Sequence, residues 1–241
     1  MSLIFSYESY KYLLNSLMDH GYRLTSFLNL EESVSAPQAI IRHDVDMSPK
    51  KAAKMALVEA EENVYGTYFF MLSSAWYNLL DKENEACLHE ISNMGHEIGL
   101  HFDISKYEDM EEDDIQHCIL RELDVLSTAI SCPVKAISWH IPDERLCGKR
   151  LNFLEERWVK NAYDPKYFME FKYLSDSNMN WREDPFDFMD KEKYPRLQIL
   201  THPVWYADQH TPKRDVIVRE IGQKVISEFR YLRLIVSDSF G

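Results

Sequence analysis

The sequence is short of the residues that divide a chain. Among 241 residues there are 7 glycines and 9 prolines, scattered, with no low-complexity linker and no repeat of fixed period. A single domain over residues 1–241 is therefore expected, with residues 1–36 as an N-terminal helical extension packed on it. Cysteine is sparse too: Cys87, Cys118, Cys132 and Cys147 form no CxxC pair. They read as reduced, structural thiols in a cytoplasmic protein, with a Cys132–Cys147 bridge as the lesser alternative. No window approaches 18 uninterrupted apolar residues, so no membrane span is expected. The opening Met1-Ser2-Leu3-Ile4-Phe5 lacks a basic region ahead of an apolar run, so no export signal is expected. Positive charge is also lacking. Lys and Arg number 27 against 40 Asp and Glu, a net charge of −13, which argues against a nucleic-acid partner because phosphate binding needs clustered cations.

What is present is core-forming material, 45% hydrophobic and 13% aromatic, in a strand–helix alternation. Residues 7–19 have a helical apolar stripe (Tyr10, Leu13, Leu14, Leu17). Residues 38–42 read as a buried strand, followed by a helix to about Asn63 with Ser48 as its cap and Pro49 in its first turn. "VYGTYFFML" (64–72), "HEIGLHF" (96–102), "VKAISW" (134–139), "YFMEFKYLS" (167–175) and "RLQILTH" (196–202) read as strands. Residues 82–94 form a helix stopped by Gly95, and 110–130 a longer one. Residues 213–235 form a last helix with Val216, Val218, Ile221, Val225, Ile226, Phe229 and Leu232 apolar. The alternation predicts an α/β fold with a parallel sheet, either open or closed as a barrel, and functional side chains at the C-terminal strand ends.

Four of those strand ends carry histidine or aspartate: His43-Asp44-Val45-Asp46, His101-Phe102-Asp103, His140 and His202. Asp44 and Asp46 are two apart in extended backbone and share a face. Two carboxylates on one face repel unless a cation or a shared proton relieves them. Imidazole with carboxylate suits zinc, iron, cobalt or nickel better than calcium or magnesium. Each histidine alone has a plainer reading as a buried, backbone-bonded side chain. That plainer reading is adopted for His96, at the other end of its strand. His20, His89, His117 and His210 receive no role.

In order, these motifs resemble the polysaccharide deacetylases with NodB homology, carbohydrate esterase family 4, and within it a divergent branch associated with surface-polysaccharide biosynthesis. The resemblance covers Ile40 to Tyr206. It implies a distorted (β/α) barrel with outer helices and a metal-dependent hydrolase that removes an N-acetyl group from a sugar or sugar-containing precursor. Asp44-Val45-Asp46 matches the first motif, which makes Asp44 the catalytic base and Asp46 a metal ligand. "GHEIGLH" leads into the second, with His101 a ligand. "ISWHIP" resembles the third, with His140 where an arginine would steer the base. "SNMNWR" faintly resembles the fourth, with Asn180 in the place of its acid. "LTH" matches the fifth, with His202 the general acid.

One departure is plain: the second motif's later histidine falls on Ser105. Either Asp103 or His140 can supply the third ligand. His140 is preferred because one carboxylate and two imidazoles is the usual hydrolytic zinc set, which leaves Asp103 as the partner orienting a ligating histidine. His43 is expected beside the site or bonded to backbone. Trp139 and Trp205 are the best placed of Trp76, Tyr77, Trp139, Trp181 and Trp205 to stack on a sugar. The expected cofactor is one divalent transition metal, zinc first. The alternatives are a C–N hydrolase acting on a non-sugar amide, and a catalytically dead carbohydrate-binding relative.

Overall fold

The computed structural model describes residues 3–33 and 36–236. Met1, Ser2, Val34, Ser35 and positions 237–241 lie outside the described residues. Eight parallel strands form one sheet: β1 (Arg23–Thr25), β2 (Gln38–Val45), β3 (Thr67–Phe70), β4 (Glu97–Phe102), β5 (Ala136–Trp139), β6 (Lys160–Asn161), β7 (Lys172–Ser175) and β8 (Arg196–Thr201). Their order is β6-β5-β4-β3-β2-β8-β7, with β1 paired to β2 below β3. Helices α1 (Tyr7–Asp19), α2 (Pro49–Glu61), α3 (Lys82–Asn93), α4 (Glu112–Ala129), α5 (Asn152–Glu156), α6 (Pro165–Glu170) and α7 (Lys213–Ile235) complete the chain. The sheet curls into a distorted (β/α) barrel, open between β6 and β7, which do not pair among the described residues. The first 36 residues supply more than a helical extension, because β1 joins the sheet.

The apolar pattern explains the layering. All eight residues of β2 are buried, as a central parallel strand covered on both faces requires. Large clusters fill the space between sheet and helices on either flank, one around Tyr68, Phe70, Leu100 and Trp139, the other around Tyr10, Leu13, Ile41 and Ile199. A smaller cluster, Phe27, Ile40, Phe69, Ala136 and Tyr167, plugs the barrel interior.

Four local expectations need correcting. Ser48 stands at the N-cap of α2 but makes no cap bond; its hydroxyl meets Glu220 instead. Residues 167–175 are not one strand. Asp164 caps α6 by accepting from the Lys166 N–H, Pro165 starts the helix, and only Lys172–Ser175 pair with β8. A proline after a capping aspartate outweighs the aromatic β-propensity that follows. The strand at 38–42 runs on to Val45, which places His43 and Asp44 inside the sheet. In α7 only Val216 of the expected apolar side is buried; Val218, Ile221, Val225, Ile226, Phe229 and Leu232 are exposed. All four cysteines are free.

Candidate metal centre

Because the strands are parallel, their C-terminal ends meet on one rim. β2 delivers Asp44 and, one step beyond the strand, Asp46; β4 delivers His101; β5 ends at Trp139 and hands on His140; β8 ends at Thr201 and hands on His202. Asp46, His101 and His140 converge. Asp46 Oδ1 lies 3.2 Å from His101 Nε2 and 3.3 Å from His140 Nδ1, and the two imidazole nitrogens are 3.3 Å apart. Yet Asp46 Oδ1 is buried without a hydrogen-bond partner, so these approaches are not aligned as hydrogen bonds. Three lone-pair atoms facing a common point at these separations fit a tetrahedral ion: with metal–ligand bonds of about 2.0–2.1 Å, neighbouring ligands sit about 3.3 Å apart. Burial pushes the Asp46 carboxyl up, but His101 and His140 override it and hold the group far below the usual carboxylate range, so this corner is an anion.

His101 is held by the Ser138 hydroxyl, 2.7 Å from Nδ1, which leaves Nε2 for the shared point. Asp103, expected in that orienting role, turns away and accepts from the Ser105 N–H and hydroxyl, capping the turn after β4. Ser105 is thus occupied in local structure, and the third corner is His140.

Asp44 lies beside the tripod, with Oδ2 3.7 Å from His101 Nε2. It is gripped by Arg42, whose Nε donates to Oδ1 at 2.9 Å and Nη2 to Oδ2 at 2.8 Å. The guanidinium is stacked on Tyr163, 4.9 Å from the ring centroid. Burial raises the Asp44 pKa, but Arg42 first, then His101 and His202, bring it below the ordinary value. An arginine is thus present beside Asp44, and it comes from β2 itself rather than from the place where His140 stands. The two-residue period that pairs Asp44 with Asp46 also places Arg42 on their face.

On the other side, His202 Nε2 lies 3.8 Å from Asp46 Oδ2. Its Nδ1 donates to Asp176 Oδ1 at 2.6 Å, and the backbone N–H of His202 reaches the same carboxylate at 3.0 Å. Burial works against the imidazolium, but Asp176 outweighs it and the His202 pKa rises to about 9. Asp176 is fully buried just past β7. The carboxylate that His202 meets is Asp176, four residues before Asn180.

The remaining expectations do not reach the site. His43 points to the opposite face of β2, where it bonds Thr201 and Glu59 rather than any ligand or backbone group. Trp139 is fully buried and packs edge-to-face on Phe102. Trp205 is buried in the core beside α1. Neither indole is open to a sugar. His96 is backbone-bonded as expected, accepting from the Gly66 N–H and donating to Ala56 O.

No known family profile matches the chain, and no curated protein matches it. Among solved structures it is similar to the Bc1960 peptidoglycan N-acetylglucosamine deacetylase, at 15% identity over 88% of this chain and 90% of that one, with a TM-score of 0.48. It is also similar to the chitin deacetylase from Colletotrichum lindemuthianum, at 13% identity over 85% and 87%, TM-score 0.46. A third likeness is to BA3943, a CE4 family pseudoenzyme from Bacillus anthracis, at 13% identity over 78% and 62%, TM-score 0.45.

Proposed function

We propose that the chain is a metal-dependent hydrolase that cleaves the amide of an N-acetylated sugar, releasing acetate and a free amine. The observation that carries this is the tripod of Asp46 Oδ1, His101 Nε2 and His140 Nδ1, flanked by an arginine-bound carboxylate on one side and a carboxylate-bound histidine on the other. A divalent transition ion, zinc first, would be held by those three atoms and would supply Lewis acidity toward water and the amide carbonyl.

The chain's own groups divide the proton work. Asp44, ionised and held by Arg42, keeps a spare lone pair on each oxygen and takes the proton of the attacking water. His202, charged below about pH 9, gives its Nε2 proton to the departing nitrogen as the C–N bond breaks. The opposite tasks need separated pKa values, and the two sites provide them: a carboxyl held down by Arg42, an imidazole held up by Asp176.

The sugar rests on the resemblance of the motifs, and with it a role in making surface polysaccharide from a cytoplasmic precursor. The four free cysteines accord with that location. Hydrolysis of a non-sugar amide uses the same machinery. The non-catalytic reading leaned on Ser105, and it loses ground with His140 in the third corner. The test is metal content by elemental analysis on protein freed of chelator, followed by acetate release from N-acetyl hexosamines and their oligomers. About one equivalent of metal with acetate release is expected. Metal with turnover only of simple amides selects the non-sugar hydrolase. No metal after zinc or cobalt addition rejects the enzyme.

A further inference from the structure

Helix α7 is built the wrong way round for a globular protein. At about 100° per residue, Val216, Glu220 and Lys224 lie on one side and face the body: Val216 is buried, Glu220 is buried 3.9 Å from Lys51, and Lys224 donates to the Ala75 carbonyl. Val218, Ile221, Val225 and Leu232 lie roughly 130° away and face outward. Val218 and Val225 are 58% exposed, and Ile235 62%. Every side chain described from Val225 to Arg233 is exposed. A helix that keeps its polar residues against the body and its valines and isoleucines in water has a second apolar surface to bury.

Charge says what covers it. Lys213, Arg214, Arg219, Lys224, Arg230 and Arg233 face only Asp215, Glu220 and Glu228 in the helix, which is net positive by three, while the whole chain is −13. Arg219, Arg230 and Arg233 flank exposed Ile226 along one edge of the wider apolar face, with Arg233 nearest the outward stripe and Arg219 and Arg230 turned part-way toward Lys51 and Glu83 of the body. A second copy of α7 would bring the same positive charge to the contact. A phospholipid surface with anionic headgroups offers apolar depth to the stripe and counter-charge to the arginines, and aliphatic stems bordering such a stripe let the guanidinium reach the headgroups. The body's negative charge is screened within about 8 Å at physiological salt, and no helix among the described residues is long and apolar enough to cross a membrane.

We propose that α7 is an in-plane membrane-binding helix, seating its Val218–Ile221–Val225–Leu232 stripe at the surface of an anionic bilayer. The position is functional. Ala75, which accepts from Lys224, adjoins Ser74, whose hydroxyl donates to Asp46 O at 2.9 Å. A bilayer under α7 therefore lies next to the metal-site rim, within reach of a substrate carried at a membrane surface. The membrane contact itself does not depend on the deacetylase reading.

The test is co-sedimentation of the full chain with vesicles of phosphatidylcholine alone and of phosphatidylcholine mixed with phosphatidylglycerol, with size measured by light scattering. Binding is expected to be about tenfold stronger with phosphatidylglycerol and to weaken as salt rises. Ile221→Asp with Val225→Asp, both on the exposed side, should cut binding about tenfold or more without changing the melting temperature. Replacing Arg219, Arg230 and Arg233 with Gln should remove the salt-sensitive part. Equal recovery with and without anionic vesicles overturns the proposal. So does a wild-type dimer that the double aspartate variant dissociates while neither protein binds vesicles, which assigns the face to a second copy.

Discussion

Two histidine–carboxylate pairs sit on opposite faces of the same sheet, and they differ in what they leave unspent. On the helix side, His43 Nε2 donates to Glu59 at 2.7 Å and Nδ1 meets the Thr201 hydroxyl at 2.7 Å. Glu59 also accepts from the Tyr10 and Tyr68 hydroxyls, and all of it is sealed from water. On the rim side, His202 spends Nδ1 on Asp176 and keeps Nε2 facing Asp46 across 3.8 Å. The chemistry of a histidine lies in the nitrogen its neighbours do not use. By that measure His43 is committed to the core while His202 keeps one nitrogen for the rim, although each is next to a residue of the other kind: His43 to Asp44, His202 to Thr201.

Asp176→Asn breaks the rim pair and gives the largest effect. With His202 stripped of its counter-charge and mostly deprotonated at pH 8.5, kcat there should fall by about 10². The pH profile sharpens the point. His202 must be protonated to donate, so activity falls as pH rises through its pKa. Without the carboxylate, that descending limb should move from near 9 toward the ordinary value of about 6.5. A kcat loss with an unmoved limb would remove His202 from the acid role.

Glu59→Ala breaks the helix-side pair, and stability, not rate, should respond. Stripping one partner from a buried charged network costs about 3–5 kcal/mol, read by denaturant unfolding, while the folded fraction keeps its kcat within about threefold. Burial raises the Glu59 pKa, but His43 outweighs it and the net shift is downward. The stability it contributes is therefore present above the unfolded pKa of about 4.3 and lost as pH falls below it. The gap between variant and wild type should close in acid.

Ser138→Ala tests a smaller lever, the hydroxyl that fixes which nitrogen of His101 faces the tripod. Loss of such an outer partner typically costs about 10–100-fold in metal affinity, measurable by competition with a chelator. Asp103→Ala, which touches Ser105 and not His101, should leave affinity unchanged.

The sequence is most informative where one periodicity governs. β2 is apolar throughout, and its two-residue period puts Asp44 and Asp46 on one face; the same rule carries Arg42 onto it and His43 off it, a consequence that adjacency in the sequence hides. The tripod is legible because parallel strands must end on a common rim. Asp176 is not legible, since nothing local separates a strand-end aspartate that will meet a histidine from β8 from one that caps a turn, as Asp103 does. Trp139 and Trp205 mislead for a similar reason: nearness in sequence to a site histidine says nothing about which way a ring turns. In α7 the helix is readable from its pattern, but the side that meets the body is chosen by Lys51, Ser48 and Ala75, far away in the chain.

A last carboxylate extends the contrast to the closed end of the barrel, away from any chemistry. Glu97 opens β4. Its Oε2 accepts from the Thr67 hydroxyl at 2.6 Å and the Leu28 N–H at 3.3 Å, while Oε1 is buried with no partner. Burial pushes its pKa up to about 7, and the hydrogen bonds from Thr67 and Leu28 offset only part of that. The sign is opposite to that of Glu59. The native state holds this proton more tightly than the unfolded chain does, so stability is full below the unfolded value of about 4.3 and declines as pH rises through about 7. Glu97→Gln removes the ionisation and keeps an oxygen for Thr67 and Leu28. The variant should gain about 2 kcal/mol at pH 8, or roughly 4–8 °C in Tm, and match wild type at pH 4. An equal shift at both pH values would mean that packing, not the buried charge, distinguishes the two proteins, and that this carboxylate is as well supported as Glu59.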